Sequence, residues 1–356
     1  MKESSNIKVL LISPLPPPAG GIATWTKKYT DWAYKEHINV EVINSAVIGG
    51  RAEQINTNRN YMDEVKRTIS ILKELIKKIK SFHPNIIHLN SACGKFGLIR
   101  DFLCAAIVHS HKIPLVVHYR CNIEDQVRSK IQTYFLGKVS QLANINLVLN
   151  SPSKKYLEKT YGINSSLITN FIDNDFIVEK KDINEQIYNI LFVGHVQATK
   201  GVKEIIQVAY HFKDICFTLA GPIADEIKLL KVPDNIVFKG SIGLADIRKL
   251  LENADVFLFP SHTEGFSNAL LEAMAMGLPI ITTNVGANAD MIEASGGIIV
   301  NVNDCNGIRN AIIKLKNKEV REKASLWNIK KVNETYLIDM VMKKLFTIYL
   351  SVFKEK

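Results

Sequence analysis

The chain has 356 residues, 47% of them apolar, and a formal net charge of +10, which allows two domains that each bury their own core. No uninterrupted apolar run approaches the roughly 18 to 20 residues of a membrane span. Five scattered cysteines without a Cys-x-x-Cys pair argue against a disulfide framework or a zinc site. We therefore expect a cytoplasmic protein.

Short apolar runs alternate with helical stretches along the first half of the chain, which is typical of a parallel sheet. Strands are predicted at Val9–Ile12, Val40–Ile43, Ile86–Leu89, Leu115–His118, Asn146–Leu149 and Leu167–Thr169. Gly20 and Gly21 follow the first strand and allow the backbone to approach a ligand closely, a plain turn being the alternative. No Gly-x-Gly-x-x-Gly follows that strand, which counts against a dinucleotide-dependent dehydrogenase.

Positive charge is concentrated in this first half. Up to Asp175 there are 23 lysines and arginines against 14 acids, a net of +9, and the remainder carries +1. A helix is predicted over residues 61–81, with an apolar stripe of Val65, Ile69, Leu72, Ile76 and Ile79. Its basic residues fall largely off that stripe: Lys66, Arg67, Lys73, Lys77, Lys78 and Lys80.

Such a basic amphipathic helix has two interpretations, and both stay open. It can dock peripherally on an anionic membrane surface, at the inner face of the cell membrane, or it can pack its stripe on the core and leave a solvated back. Nucleic acid is not an expected partner, because the lysines carry no binding motif and no interleaved aromatic residues.

A polar stretch, Asp173–Gln186, interrupts the apolar pattern and predicts a linker over residues 173–188. A second series of strands follows, at Ile190–Val193, Phe217–Ala220, Ile236–Phe238, Val256–Phe259, Ile280–Thr282 and Ile298–Val300. The pattern predicts two Rossmann-like domains with parallel sheets facing each other across a cleft, over residues 1–172 and 189–330. A last helix is expected from about Val332, within residues 331–356.

Two carboxylates eight residues apart, Glu264 and Glu272, span the junction between an apolar strand and an apolar helix. Burying a carboxylate without a partner costs several kcal/mol, so Glu272 is expected to face a ligand. Glu264 precedes the helix, in the loop at the carboxyl end of the strand, where Gly265 and Ser267 are flexible or capping residues. Backbone amides at such a helix start can hold an anion.

A second cation-bearing loop supports an anion site. Lys200 precedes Gly201 at the start of a helix, after a strand that ends at Gly194, so an ammonium group and helix amides converge where a diphosphate could lie. A solvated lysine at a turn is the alternative. His195 is either a phosphate donor or an ordinary loop residue.

These segments resemble the retaining, nucleotide-sugar-dependent glycosyltransferases of family 4, which have the GT-B fold. The segment PSHTEGFSNALLEAMAMGLPIITT resembles the Glu-x7-Glu signature of the family, and VLLISPLPPPAGGIA, HPNIIHLNSA, PLVVHYR, LFVGHVQATKGVKEII and ADVFLFPS follow in the expected order. His195 is a departure, because the family usually carries arginine there. The resemblance implies that the C-terminal helix crosses back to the first domain, which holds the acceptor side.

The resemblance also implies roles for individual residues. Glu272 would bind the ribose hydroxyls, Glu264 the donor sugar hydroxyls, and His118 the donor sugar near the reacting carbon. Gly20 and Gly21 would also lie near the donor. The departing diphosphate would be neutralised by His195, Lys200 and the segment Gly265, Phe266, Ser267 and Asn268. No metal and no cofactor beyond the donor substrate are implied.

The expected activity is therefore transfer of a sugar from a nucleoside diphosphate to a hydroxyl of a glycan or lipid-linked glycan, as in bacterial surface polysaccharide biosynthesis. A GT-B nucleotide-sugar epimerase is the enzymatic alternative. A catalytically silent GT-B partner subunit is the alternative from another class, and its one support is His195.

Overall fold

The computed structural model describes residues 7–17, 20–47, 61–172 and 174–354. They form two compact units. The first consists of the described parts of Met1–Thr169 and Met342–Lys356, and the second of the described part of Asn170–Val341. Each unit is built on a six-stranded sheet in which all neighbouring strands are parallel.

The first sheet has the strand order β2-β1-β3-β4-β5-β6. Its strands are β1 (Lys8–Ser13), β2 (Asn39–Asn44), β3 (Ile86–Ser91), β4 (Leu115–Tyr119), β5 (Ile145–Val148) and β6 (Ser166–Leu167). In β3 and β4 every residue is buried, because helices cover both faces of a parallel sheet. Strands buried on both faces are what the sequence predicts, although β3 also buries the polar residues His88, Asn90 and Ser91.

Six helices pack around this sheet within the described part of residues 1–169. They are α1 (Gly21–Lys35), α2 (Tyr61–Phe82), α3 (Lys95–Ser110), α4 (Ile123–Gln126), α5 (Lys130–Leu142) and α6 (Ser151–Tyr161). Side chains of α2, α3 and α5 form one hydrophobic core with Leu10, Ile12, Ile87 and Leu89 of the sheet.

Helix α2 corrects one interpretation of the sequence. Of the predicted apolar stripe, Val65, Ile69 and Ile76 are 52%, 48% and 39% exposed, so the interpretation that the whole stripe packs on the core is wrong. The buried row of the helix is instead formed by Ile71, Leu75, Ile79 and Phe82. Both rows are apolar, and Ile79 belongs to both of them.

The second sheet has the order β12-β11-β10-β7-β8-β9. Its strands are β7 (Asn189–Val193), β8 (Cys216–Ala220), β9 (Ile236–Gly240), β10 (Val256–Phe259), β11 (Ile280–Thr283) and β12 (Gly297–Val300). The helices after β7 are α7 (Val202–Ala209), α8 (Asp225–Lys228), α9 (Leu244–Asn253), α10 (Asn268–Ala275), α11 (Asn288–Ile292), α12 (Cys305–Leu315), α13 (Lys318–Thr335) and α14 (Ile338–Lys354).

The described part of the predicted linker, residues 174–188, groups with the second unit. Its Lys181 ammonium donates hydrogen bonds to the carbonyls of Leu251 and Glu252, at 3.3 and 2.8 Å. Asn184 Nδ2 donates to Asp255 Oδ1 at 2.7 Å. The stretch therefore lies against the end of α9 and the start of β10.

The predicted start of the last helix near Val332 is wrong. Helix α13 runs through that position and ends at Thr335, and α14 begins at Ile338. The break arises because Tyr336 and Leu337 leave the helix to pair with Ile172: the Ile172 amide donates to the Tyr336 carbonyl at 2.9 Å, and Ile172 and Leu337 form a parallel bridge.

From Met342 onward α14 belongs to the first unit, as expected for the last helix. The Phe346 ring packs against Trp32, with ring centroids 5.4 Å apart. Tyr349 is fully buried, and its hydroxyl lies 2.5 Å from His88 Nδ1 and 3.4 Å from the Tyr29 hydroxyl. Among the described residues, no helix is both long and apolar enough to cross a bilayer.

In each sheet the strand order reverses once. The chain places β2 on one side of β1 and then returns to the other side with β3, and it places β8 on one side of β7 and later returns with β10. Loops diverge at such a switch point and leave a crevice at the carboxyl ends of the two strands. Each unit thus offers one edge where a ligand is most easily accommodated.

Candidate active site

The switch point of the second sheet brings Lys200 and Glu264 together. Lys200 lies in the loop after β7 and Glu264 in the loop after β10, and their side chains form an ion pair with 2.5 Å between Nζ and Oε1. The side chains are 22% and 10% exposed, so the pair is half-buried and screened less than a surface pair. Lys200 Nζ also lies 5.9 Å from the centre of the Phe259 ring.

A tight backbone contact sets the position of Lys200. A 3-10 turn, Ala198–Lys200, is followed by Gly201, which has a φ of +74°. A Cβ atom on Gly201 would lie 2.1 Å from the carbonyl oxygen of Pro260, so only glycine lets the two loops approach this closely. The chain therefore enters α7 directly beside the end of β10.

Three further contacts hold the Glu264 loop. The His262 amide donates to the Thr199 carbonyl at 3.0 Å, and the Ala287 amide donates to the Gly265 carbonyl at 3.2 Å. Gly286, with a φ of +52°, passes so close that a Cβ atom would lie 2.0 Å from the Glu264 carbonyl oxygen. The loops after β7, β10 and β11 consequently form one packed edge around Glu264.

Helix α10 starts at this edge. Ser267 is its N-cap, and the Ser267 hydroxyl oxygen accepts a hydrogen bond from the Leu270 amide at 3.2 Å, which satisfies one of the amides that a helix start leaves without a carbonyl partner. Asn268 Oδ1 accepts from Asn170 Nδ2 at 2.8 Å. Phe266 is buried with its ring against Tyr336, at a centroid distance of 5.9 Å.

Glu272 and His195, the remaining predicted site residues of the second unit, differ in exposure. Glu272 is half-buried on α10, whereas its neighbours Leu271 and Ala273 are buried. His195 is exposed after β7, and its carbonyl accepts from the Gln197 amide at 2.9 Å. Among the described residues the His195 side chain contacts neither Lys200 nor Glu264, so its phosphate role stays a prediction.

The switch point of the first sheet holds a cavity of about 400 Å³. Gly20 and Gly21 line it at the start of α1, together with residues that follow β2 and β3 and residues of α2 and α3. Among the residues that the structure describes, no atom lies within 4 Å of the place where a Cβ of either glycine would stand. Both therefore leave open space next to the carboxyl end of β1.

His118 lies at the end of β4 and is completely buried. Its Nε2 is 3.2 Å from the Ile168 carbonyl oxygen. Burial, followed by the charge of Arg120, lowers the His118 pKa well below its ordinary value, so the imidazole is neutral at physiological pH. A neutral, buried histidine can act through hydrogen bonding or packing, and a site role for His118 remains a prediction.

Arg120 and His88 complete this buried cluster. Arg120 Nη1 lies 3.3 Å from both ring nitrogens of His118, and the guanidinium carbon is 4.5 Å above the Trp25 ring. Burial lowers the Arg120 pKa to about 9. Burial, followed by the Arg120 charge, lowers the His88 pKa to about 3, against the opposing effect of a hydrogen bond with the Asn90 side chain.

Sequence reasoning missed several polar residues near these two edges. His262 Nε2 lies 2.9 Å from Oε1 of Glu204, a buried acid in the first turn of α7. In the first unit, Asn90, Glu64 and Arg67 line the cavity. The available signal was an acid in the first turn of a helix, which both Glu204 and Glu64 present.

Part of this chain matches a protein-family model, and most of it resembles known glycosyltransferases in sequence. The family model described as Glycosyl transferases group 1 matches residues 187–318. CapM of Staphylococcus aureus, named as a capsular polysaccharide biosynthesis glycosyltransferase, is 27% identical over 359 positions, which cover 90% of this chain and 92% of CapM. The chain is thus similar to group 1 glycosyltransferases, most directly over residues 187–318, and this similarity agrees with the resemblance stated from the sequence.

Solved structures resemble the whole chain. Sucrose-phosphate synthase from Thermosynechococcus elongatus superimposes with a TM-score of 0.78 at 14% identity, over 99% of this chain and 100% of that one. Anabaena HepE, solved in complex with UDP and glucose, has a TM-score of 0.72 at 14% identity, over 97% and 100% of the two chains. The two parallel six-stranded sheets with flanking helices are those of the GT-B fold, and the predicted fold class is confirmed.

Proposed function

We propose that this protein is a retaining, metal-independent glycosyltransferase. It moves a sugar from a nucleoside diphosphate donor to a hydroxyl of a glycan or lipid-linked glycan acceptor, in surface polysaccharide biosynthesis. The observation that carries the proposal is the Lys200–Glu264 ion pair at the switch point of the second sheet. The family match at residues 187–318, the name of CapM and the UDP and glucose bound to HepE support it.

Lys200 and Glu264 have complementary tasks in this proposal. A lysine ammonium has three N–H donors, and one is directed at Glu264, which leaves two for phosphate oxygens. Glu264 holds the ammonium in place and has a second carboxylate oxygen for a donor sugar hydroxyl. Charge that develops on the departing diphosphate then meets an ammonium already in position, which is the most effective form of electrostatic catalysis.

The start of α10 adds to the positive electrostatic potential that Lys200 creates. Its first-turn amides, near Ser267 and Asn268, point toward the edge where the diphosphate would lie, and the helix dipole favours negative charge there. Glu272, one turn further, would accept hydrogen bonds from the ribose hydroxyls. The acceptor hydroxyl attacks from the side of the leaving phosphate, which takes up its proton, and this path retains the anomeric configuration.

A donor screen followed by a transfer assay tests the proposal. A nucleotide-sugar present at 100 times its Kd should stabilise the folded protein by about 2.7 kcal/mol, which a melting curve detects. The stabilising donor is then incubated with candidate glycan acceptors. The anomeric proton coupling in the NMR spectrum of the product reports retention, and unchanged turnover in EDTA reports metal independence.

Two results would contradict this assignment. Consumption of the donor to a new nucleotide-sugar without any acceptor would indicate an epimerase. Stabilisation by donors without any transfer to glycan or lipid-linked acceptors would indicate a silent binding subunit. An inverted product would leave the transferase assignment intact and overturn retention.

Helix α2 supports docking of the enzyme on an anionic membrane surface. Its exposed face carries the apolar side chains Met62, Val65, Ile69 and Ile76. The exposed lysines of the same helix are Lys66, Lys73, Lys77 and Lys80. An apolar row flanked by lysines is the pattern that binds in the headgroup region, where each lysine contributes about 1 kcal/mol.

Vesicle sedimentation tests this docking. Replacing Lys73, Lys77 and Lys80 by glutamine should release the protein from anionic vesicles and leave turnover on a soluble acceptor unchanged. The matched control replaces the exposed lysines of α6, Lys154, Lys155 and Lys159. Equal binding to neutral and anionic vesicles, or equal release by the control, would refute the assignment of α2 as the docking element.

A further inference from the structure

The loops that carry Lys200 and Glu264 follow two neighbouring strands whose pairing stops early. The register pairs between β7 and β10 end at Leu191 and Phe257, two residues before the carboxyl end of either strand. Strand ends diverge in this way at a switch point. Contacts made by the loops themselves must therefore set the distance between Lys200 and Glu264.

His262, in the loop after β10, contacts the loop after β7 on both sides of Lys200. The His262 amide donates to the carbonyl of Thr199, immediately before Lys200, at 3.0 Å. Its imidazole Nε2 lies 2.9 Å from Oε1 of Glu204, four residues after Lys200. Because a carboxylate oxygen accepts, Nε2 is the donor. His262 thus links the two loops only two residues before Glu264.

The contact between His262 and Glu204 is largely buried. The Glu204 side chain is 10% exposed and the His262 side chain 28%, so solvent screens their interaction less than that of a surface pair. Among the described residues, no donor reaches the buried second oxygen, Oε2 of Glu204. Loss of the imidazole would leave the carboxylate buried without a donor, which is costly, and this cost keeps His262 against α7.

An acid at this place has one structural explanation that needs no histidine. Glu204 lies in the first turn of α7, where the helix dipole favours negative charge. That effect accounts for the acid alone. It does not account for a histidine of another loop that reaches the same carboxylate.

A second contact between the two loops complements this one. Gly201 passes so close to Pro260 that a Cβ atom would lie 2.1 Å from the Pro260 carbonyl oxygen. One contact of this kind fixes how near the loops approach and still allows rotation about the point of contact. The hydrogen bond between His262 and Glu204 adds a second point further along both loops, and two points together fix their relative orientation.

We propose that His262 and Glu204 are a positioning pair: their hydrogen bond holds the loops after β7 and β10 so that the Lys200 ammonium stays beside Glu264 and faces the departing diphosphate. The inference rests on the transferase function proposed above and adds two positioning residues to it. A displacement of about 1 Å in a reacting group can cost about 100-fold in rate, so loss of the pair should act mainly on kcat.

Two substitutions of His262 test the role of the imidazole, and both keep the backbone amide that contacts Thr199. A glutamine Nε2 lies about as far from the backbone as the histidine Nε2 and can donate to Glu204, whereas leucine has no donor. H262L should lower kcat about tenfold to 100-fold and change the donor KM by less than a factor of about three. H262Q should restore kcat to within about a factor of three of wild type.

Removal of the acceptor breaks the same hydrogen bond from the side of α7. E204A should reproduce the kcat loss of H262L, and the double variant should be no slower than either single variant, because residues that act through one contact are not additive. If H262L does not fold, the comparison of E204A with H262Q carries the same test.

Asn235 provides a matched control at the other end of α7. Its Nδ2 donates to the carbonyls of Ala209, Phe212 and Ile215, at 3.2, 2.9 and 2.9 Å. N235A removes these hydrogen bonds and should lower the melting temperature at least as much as H262L does. Its kcat should stay at the wild-type value, because the substitution leaves the contacts between the two loops in place.

A second readout needs no turnover. Denaturation of K200M, E264Q and the double variant gives the coupling energy of Lys200 with Glu264, and the same cycle is repeated in H262L. We expect a measurable coupling in the wild type and a loss of about half or more in the H262L background. This result would support the positioning pair even if no nucleotide-sugar is turned over, in which case the transferase proposal alone has failed.

The opposite outcomes overturn the assignment. A wild-type kcat in H262L, or an H262Q variant as slow as H262L, would show that the side-chain hydrogen bond does not position the site. Loss of kcat in N235A in step with its stability would assign the effect of H262L to folding. A coupling of Lys200 with Glu264 that is absent in the wild type, or unchanged in H262L, would equally refute the proposal.

Discussion

The substitution Lys200→Ala is the sharpest test of the site in the second unit. It removes the ammonium group that lies 2.5 Å from Glu264 Oε1 and leaves the backbone of the loop intact. If Lys200 stabilises the charge on a departing diphosphate, the substitution acts on the transition state. If Lys200 only neutralises the charge of Glu264, the substitution lowers the stability of the folded protein.

The expected magnitudes separate these two effects. Unit charges about 4 Å apart interact by about 4 kcal/mol at an effective dielectric constant of 20, and losing one preorganised donor at a developing anion typically costs about 100-fold to 1000-fold in turnover. Leaving the Glu264 carboxylate, only 10% exposed, without its partner should cost about 1 to 3 kcal/mol of unfolding free energy. Against a typical stability of about 5 to 15 kcal/mol, the variant stays folded.

The assay compares turnover and melting temperature of Lys200→Ala with those of Lys203→Ala. Lys203 is exposed on α7, three residues away, and its loss should change neither quantity. A turnover of the Lys200 variant within a factor of about three of wild type would refute the reasoning. So would a loss of turnover that parallels a loss of folded protein.

Three further predictions concern affinity, backbone fit and pH. Glu272→Gln should weaken the calorimetric Kd for the nucleoside diphosphate about tenfold at an unchanged melting temperature, because a charged acceptor for hydroxyls is lost from a nearly isosteric side chain; a lower melting temperature with unchanged Kd would assign Glu272 to the fold. Gly201→Ala should reduce the unfolding free energy by about 1 to 3 kcal/mol because its Cβ would meet Pro260, whereas Gly243→Ala, which meets nothing within 4 Å, should be neutral. With a pKa of about 3 in the folded state and an ordinary value of 6.5, His88 binds its proton only after unfolding, so stability should fall with pH below 6.5 by up to about 1.4 kcal/mol per pH unit. Buried His118, whose pKa is also lowered, adds to this slope in the wild type. Chemical denaturation between pH 7 and 5 should therefore give a smaller slope for His88→Asn than for the wild type, by up to the contribution of one proton, and equal slopes would contradict the prediction.

Much of the fold could be predicted from the sequence because buried parallel strands are continuous apolar runs. The predicted strand Val256–Phe259 has the observed bounds of β10, and the prediction at Leu115–His118 misses one residue of β4. The face of α2 could not be predicted, since Val65 and Ile69 form one apolar row and Ile71 and Leu75 another. Only packing on the sheet decides between two rows of equal hydropathy.

The candidate site was predictable as separate residues and not as an arrangement. Lys200 and Glu264 each follow an apolar strand, and that position marks them as edge residues. Their pairing depends on β7 and β10 being neighbours, which requires the strand order. The cavity beside Asn90 could not be predicted for the same reason, because its lining residues lie as far apart in the chain as Pro14 and Arg100.

The residues of α14 that pack on the first unit have a consequence for how the protein is made. Tyr349 and Phe346 cover His88 and Trp32, yet the 172 residues of Asn170–Val341 are synthesised before them. At a typical rate of about 5 to 20 residues per second, the ribosome needs roughly 10 to 30 s for that stretch. During this interval the aromatic surface of the first unit that includes Trp32 stays exposed, while the second unit can fold to completion. The part of the protein that emerges first is thus finished last, and it is the part for which nascent chains should depend most on chaperones.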